Sequence, residues 1–339
     1  MDREEHAMER KNRRPLRIVL RVLAALLALL LLFALALVVI PLTEHADKSP
    51  VDGAADWMAR LDDGTPLNRV VLPGTHDSAT QYVQLAFFSR CQSLDIGGQL
   101  EAGFRYLDIR LAVGAEAGTL KLMHGFTECR TGVFGGTLYL DAVLAQCYAF
   151  LDAHPTETIV FAVKQEHGDE SVRDFETALD AVIAREAGRW LLTDTIPTVG
   201  EARGKLVLLR RYEDEAGLGA AAGIGLLWAD QNGHDDVSAH AAAEDNGSYT
   251  LWVQDRYEYG AADKWAAFTA GMEAAGQGGN DLAIHFLSTK GTAAYGHPYS
   301  FARKLDPLLL GTDSASLSGW IVVDFASPKL AEHIYAANF

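Results

Sequence analysis

The sequence lacks a basic excess. Against 29 Lys and Arg stand 45 Asp and Glu, a formal net charge of −16. Nucleic-acid binding leaves a basic footprint on a domain, so that class of partner is excluded. An anionic ligand must therefore be held by a local cationic pocket. The marks of a metal centre are also missing: there is no HExxH motif and no tight Asp-x-Asp cluster. No metal or other cofactor is expected. The chain has no internal repeat, and no low-complexity stretch outside one apolar run. Cysteine is scarce, with three in 339 residues. Cys147 falls on the apolar face of a helical pattern with Leu140, Val143, Leu144, Phe150 and Leu151, which reads as a core thiol. Cys91 and Cys129 lie in loop-like segments and are candidates for a disulfide in an oxidising compartment.

The apolar run is the first positive feature. Every residue from Val22 to Ile40 is apolar, about the length needed to cross ~30 Å of hydrocarbon as a helix. It exceeds the core of a cleavable signal peptide, and Thr43-Glu44-His45-Ala46 makes a poor cleavage site. A signal anchor is expected over 22–41. Arg10, Lys11, Arg13, Arg14, Arg17 and Arg21 precede it, while Glu44, Asp47, Asp52 and Asp56 follow with only Lys48 against them. Basic flanks stay cytoplasmic, so residues 1–21 form a cytoplasmic tail and the C-terminal part lies outside the cell. Residues 42–66, polar and with Pro50, Gly53, Gly64 and Pro66, read as a tether leading into a first helix. Residues 67–339 suit one large α/β domain, expected to be monomeric.

Eight short β-like runs cross that domain: Val70–Leu72, Tyr106–Leu111, Thr119–Met123, Thr158–Val163, Lys205–Leu209, Leu251–Gln254, Leu282–Leu287 and Trp320–Val323. Helical patterns at Leu140–Ala153, Val172–Ala187 and Lys264–Ala275 lie among them. This order predicts a (β/α)8 TIM-type barrel behind an N-terminal transmembrane helix. Only Ala112–Gly118 separates the second run from the third, too few residues for a crossover helix, so the barrel should be irregular there. Most runs end in a titratable residue: His76 with Asp77, Arg110, His124, Lys164 with Glu166, Arg211, Asp255 with Tyr257, and Asp324. Active sites of barrels sit at those ends. Two histidines suit acid–base transfer near neutral pH, and arginines grip phosphate oxygens in a bidentate fork. A phosphate ester is the expected substrate. The remaining histidines, among them His154, His167, His234 and His297, read as surface or capping residues.

Val70-Val-Leu-Pro-Gly-Thr-His-Asp-Ser-Ala79 resembles the X-region signature of bacterial phosphatidylinositol-specific phospholipases C. The likeness continues through Gln99-Leu-Glu-Ala-Gly-Phe-Arg-Tyr-Leu-Asp-Ile-Arg110, Leu122-Met-His-Gly125 and the stretch from His154-Pro155 to Glu166. Gly204-Lys-Leu-Val-Leu-Leu-Arg-Arg-Tyr212, Val253-Gln-Asp-Arg-Tyr257 and Trp320-Ile-Val-Val-Asp324 complete it. The first motif is specific, and the others are weak singly but strong together. The resemblance implies His76 as general base on the inositol 2-hydroxyl, oriented by Asp324, and His124 as general acid, supported by Asp77. It implies Arg110 as the charge on the transition state, in place of the metal of calcium-dependent relatives. Lys164, Arg211, Asp255 and Tyr257 would bind inositol, and Phe87, Phe88 and Tyr295, with Tyr299 and Phe301 nearby, would form a membrane-facing rim. The implied substrate is phosphatidylinositol or a related inositol phospholipid in a membrane. The implied products are diacylglycerol and a 1,2-cyclic inositol phosphate. A phosphodiesterase for another head group, and a non-catalytic lipid- or glycan-binding module, are the alternatives. The anchor, and the Ala/Gly/Asp-rich loop from Tyr212 to Ala243, depart from the family pattern.

Overall fold

The computed structural model describes residues 2–116, 118–231, 242–245, 249–275, 281–294 and 296–339. The chain divides into two compact units, Met1–Glu44 and His45–Phe339. The first is a single helix, α1 (Asp2–Thr43). Its 27-residue segment Arg17–Thr43 is long and apolar enough to cross a membrane, spanning about 40 Å at 1.5 Å per residue.

The second unit is a TIM-type barrel. Its strands are β1 (Leu72–Thr75), β2 (Tyr106–Val113), β3 (Leu120–His124), β4 (Thr127–Glu128), β5 (Ile159–Gln165), β6 (Trp190–Leu191), β7 (Leu206–Arg210), β8 (Ile224–Gly225), β9 (Ala242–Asp245), β10 (Thr250–Gln254), β11 (Asp281–Phe286) and β12 (Trp320–Val323). They form one curled sheet in the order β6-β7-β5-β2-β1-β12-β11-β10-β9, with β8 also beside β7. Along that path every pairing is parallel except that of β9 with β10. Among the described residues, no ladder joins the β7–β8 edge to the β9–β10 edge. Side chains stitch that seam instead. The Tyr249 hydroxyl donates to the Gly225 carbonyl, and Gln231 donates to Val253 O and accepts from Asp255 N.

All eight expected strands are present, the first of them later than expected, at Leu72–Thr75. The expected irregularity is a hairpin: β3 runs antiparallel to β2, pairing Leu111 with Leu122 and Val113 with Leu120. Outside the sheet lie α4 (Leu140–Ala153), α5 (Val172–Ile183), α7 (Ala261–Ala274), α8 (Pro298–Leu310) and α9 (Pro328–Tyr335), with the shorter α2 (Ala86–Ser89), α3 (Ile96–Glu101) and α6 (Val199–Ala202) between strands.

Strand periodicity builds the site. Successive side chains point to opposite faces. On β2, Leu107, Ile109 and Leu111 pack outward with Val143 and Cys147 of α4, while Tyr106, two residues before Asp108 and four before Arg110, belongs to the barrel's inner core. The same stepping takes Val160 and Ala162 to Lys164, Val207 and Leu209 to Arg211, Leu251 and Val253 to Asp255, and Trp320 and Val322 to Asp324. Each inner column is apolar at its base and ionisable at its top. Gly74 is required in this layer, because a Cβ there would lie 2.9 Å from the Tyr106 ring.

The tether expected over 42–66 belongs instead to the barrel unit from His45 onward. Trp57 and Met58 are fully buried, and Trp57 stacks on Tyr335 at 5.0 Å and donates to Gly103 O at 2.9 Å. Large apolar side chains in this segment gain more from the core than from water. Below them the buried Arg105 pairs with Glu157 at 2.8 Å and donates to Ala55 O at 2.7 Å.

Candidate active site

The C-terminal ends of the barrel strands enclose a cavity of about 490 Å³, within the usual range for small-ligand sites. His76 follows β1. Its Nδ1 donates to Asp324 Oδ1, 2.8 Å away at the end of β12. Its Nε2 lies 3.0 Å from Arg110 Nη2, which can only donate, and 3.1 Å from Asp77 Oδ2. With the Asp324 bond fixing a proton on Nδ1, Nε2 carries the ring's lone pair, which here accepts from Arg110. Burial pulls the pKa of this imidazole down, but Asp77 and Asp324 push harder the other way, so it sits above the ordinary 6.5.

His124 closes β3, 6.2 Å ring to ring from His76. Its Nδ1 donates to Ser89 O at 2.7 Å, and its Nε2 faces Asp77 Oδ2 at 3.4 Å. A carbonyl accepts only, so Nδ1 carries the hydrogen of this bond. The two rings are thus held differently through Nδ1, His76 by a carboxylate and His124 by a backbone carbonyl, and both turn Nε2 toward Asp77 Oδ2.

Arg110 binds three carboxylates: Asp77 at 3.0 Å, Asp108 at 3.1 Å and Glu166 at 3.2 Å. Asp108 also holds Arg211 at 3.2 Å. Burial would raise Asp108, yet Arg110 and Arg211 keep it well below the ordinary carboxylate range. Glu166 is likewise held low against burial by Arg110 and Lys164, whose Nζ is 2.8 Å from Oε2. It also accepts from Gly125 N at 2.7 Å, which locks the turn after His124. Arg211 stacks on Trp228 at 3.9 Å and stands 3.9 Å from Asp255. The Tyr257 hydroxyl donates to Asp230 at 2.9 Å. Asp77 and Phe325, the residues after His76 and within the Asp324 turn, both have positive φ, 42° and 49°. Such backbone costs energy outside glycine and collects where function demands it.

The structure thus gathers His76, Asp77, Arg110, His124, Lys164, Arg211, Asp255, Tyr257 and Asp324 at one cavity. Sequence reasoning passed over Trp228 and Asp230, which lie in the loop it did not place, and Asp108, whose inward strand position was a usable signal. The expected disulfide is corrected. Cys91 and Cys129 are free buried thiols. Cys91 is turned into the cavity, its Sγ 3.9 Å from His124 Nδ1, while Cys129 packs in the outer core. Phe87 is half-buried, stacked on His297 at 4.1 Å, and Phe88 lines the cavity. Phe301 packs against the inner core. Tyr295 and His234 lie outside the described residues. His285 is fully buried with no hydrogen-bond partner among the described residues, and burial lowers its pKa to about 3. His76, Asp77 and Cys91 offer ligand atoms all within 4.8 Å of one another, but the Arg110 guanidinium touching two of them opposes a cation.

The fold is the TIM-type barrel of the bacterial phosphatidylinositol-specific phospholipases C. The chain aligns with a solved variant of that enzyme from Staphylococcus aureus at TM-score 0.69 and 25% identity, covering 84% of this chain and 96% of that one. The Listeria monocytogenes enzyme aligns at TM-score 0.60 and 22% identity, over 84% and 99%. In sequence, the chain is 27% identical over 300 residues to the 1-phosphatidylinositol phosphodiesterase of S. aureus (strain Newman), covering 83% of this chain and 91% of the relative. It is 29% identical over 197 residues to human PI-PLC X domain-containing protein 1, covering 48% and 58%. No family model matches the chain.

Proposed function

We propose that this chain is a metal-independent phosphatidylinositol-specific phospholipase C held at a membrane by its N-terminal helix. The observation that carries this reading is the pairing of two differently held histidines, His76 on Asp324 and His124 on Ser89 O, at a cavity lined by Arg110 and Arg211. His76 Nε2 takes the proton of the inositol 2-hydroxyl. That oxygen attacks phosphorus, and the bond from phosphorus to the glycerol oxygen breaks. His124 protonates the departing oxygen, giving diacylglycerol and the 1,2-cyclic phosphate. Because the attack is intramolecular, positioning supplies much of the rate. Arg110 offsets the charge on the equatorial oxygens, while Lys164 and Arg211 donate to ring hydroxyls, Asp255 accepts from them and Tyr257 covers a ring face. Basic residues before α1's apolar span and acidic residues after it favour a signal anchor with a cytoplasmic N-terminus.

Contact with a bilayer is assigned to the partly exposed Phe87 and Phe88 together with more exposed apolar side chains near them. Leu85 (58% exposed) precedes α2, Phe126 (55%) follows His124-Gly125, and Phe134 (99%) tips the turn between Arg130 and Thr137. Because β4 is antiparallel to β3, and β3 to β2, that turn is carried toward the mouth. A head-group panel tests the substrate: phosphatidylinositol, phosphatidylcholine and glycerophosphoinositol, each offered to the detergent-solubilised full chain. Cleavage confined to inositol esters is expected. Preferential cleavage of phosphatidylcholine would overturn the assignment.

A further inference from the structure

Two fully buried glutamines lie beneath the cavity and line no part of it. Gln92 Nε2 donates to His76 O at 2.9 Å and to Val323 O at 3.0 Å, and Gln92 Oε1 accepts from Ala326 N at 2.9 Å. One carboxamide thus ties the backbone ends of β1 and β12, the two strands that deliver His76 and Asp324. Gln254 does the same two strands away. Its Nε2 donates to Phe286 O at 2.8 Å, and its Oε1 accepts from Arg256 N at 3.0 Å and Lys264 Nζ at 2.9 Å. Lys264, itself fully buried, also donates to Arg256 O at 3.0 Å. These bonds fix the backbone of Arg256, between Asp255 and Tyr257.

We propose that Gln92 and Gln254 are positioning residues with separate duties: Gln92 sets the geometry of the His76–Asp324 pair, and Gln254, with Lys264, sets that of Asp255 and Tyr257. Neither touches substrate. Each spans two strand ends, so removing its amide frees the backbone that aims a functional side chain. An amide that merely satisfied buried carbonyls would be needed anywhere in the barrel wall. These two stand directly under the residues that carry the chemistry and those that carry recognition. Loss of Gln92 should therefore act on turnover, and loss of Gln254 on binding.

The test compares Gln92→Met and Gln254→Met in the full chain in detergent, with soluble inositol 1,2-cyclic phosphate as substrate. Methionine keeps the volume and removes the hydrogen bonds. Gln92→Met should lower kcat about 10- to 100-fold and leave KM within about twofold, the signature of a misplaced reacting group. Gln254→Met should raise KM about fivefold or more with kcat nearly intact, the signature of lost uniform binding. A second readout needs no turnover: the downfield proton resonance of His76 Nδ1–H on Asp324 should shift or vanish in Gln92→Met and persist in Gln254→Met. If Gln92→Met does not fold, Gln92→Glu replaces it, keeping the acceptor for Ala326 N and losing both donors. The same kinetic signature in both variants, or an unchanged resonance in the Gln92 variant, would overturn the proposal. It rests on the phospholipase reading for its kinetics. A wild-type chain that turned over neither phosphatidylinositol nor the cyclic ester would refute that reading, and the resonance would still decide the clamp.

Discussion

His76 carries two demands that pull against each other. It must be unprotonated to take a proton, yet Asp77 and Asp324 hold its pKa above 6.5 against the effect of burial. Turnover should therefore climb with rising pH through that raised value. Asp324→Asn removes one of the supporting charges, so the acidic limb should move to lower pH while maximal turnover falls; a limb that stays in place would assign it to another group. Stability has the opposite sign. A raised histidine contributes most below its unfolded pKa and loses that contribution as pH rises through the folded value. His76→Ala and His124→Ala should each lower turnover by about 10²–10⁴ without unfolding the domain. His124→Ala should recover in part on an inositol phosphodiester with a phenol leaving group, which needs little protonation. A folded double variant with wild-type turnover would exclude the paired-histidine mechanism.

At the scale of elements, the alternation of each strand explains why so much could be read in advance. Ionisable residues at apolar strand ends marked Arg110, Lys164, Arg211, Asp255 and Asp324 before any geometry was known. The hairpin of β2 and β3 was visible as a connection too short for a helix. What could not be read depended on contacts between distant segments. Trp228 and Asp230 occupy a loop with no periodic signal. Cys91 and Cys129 looked alike as loop thiols, and only packing separates one in the cavity from one in the outer core. The segment 54–60 looked polar enough for a tether, because Trp57 reveals its burial only where Tyr335 meets it. That segment rests on the buried Arg105–Glu157 pair. Glu157→Gln should destabilise the barrel by about 3–5 kcal/mol, since it strands a buried guanidinium, and replacing both by methionine should restore much of the loss. Thermal unfolding in detergent measures both; equal melting temperatures for wild type and Glu157→Gln would refute the pairing as a stabilising contact.

For the whole molecule, an acidic chain must meet a lipid surface by means other than charge attraction. Leu85, Phe126 and Phe134 are exposed, and under the proposed function they would supply apolar contact, since aromatic rings favour the interface. Phe134→Ser should therefore slow cleavage of phosphatidylinositol in vesicles several-fold and leave hydrolysis of the soluble cyclic ester unchanged; equal losses on both substrates would place Phe134 in a different role. The central claim is that two histidines and Arg110, without a divalent cation, cleave an inositol phosphodiester by internal attack. The most direct measurement is phosphorus NMR of phosphatidylinositol incubated with the purified full chain in excess EDTA. The account predicts an early resonance of inositol 1,2-cyclic phosphate that later gives way to the monoester. Complete inhibition by EDTA reversed by calcium, or a monoester formed with no cyclic precursor, would contradict it.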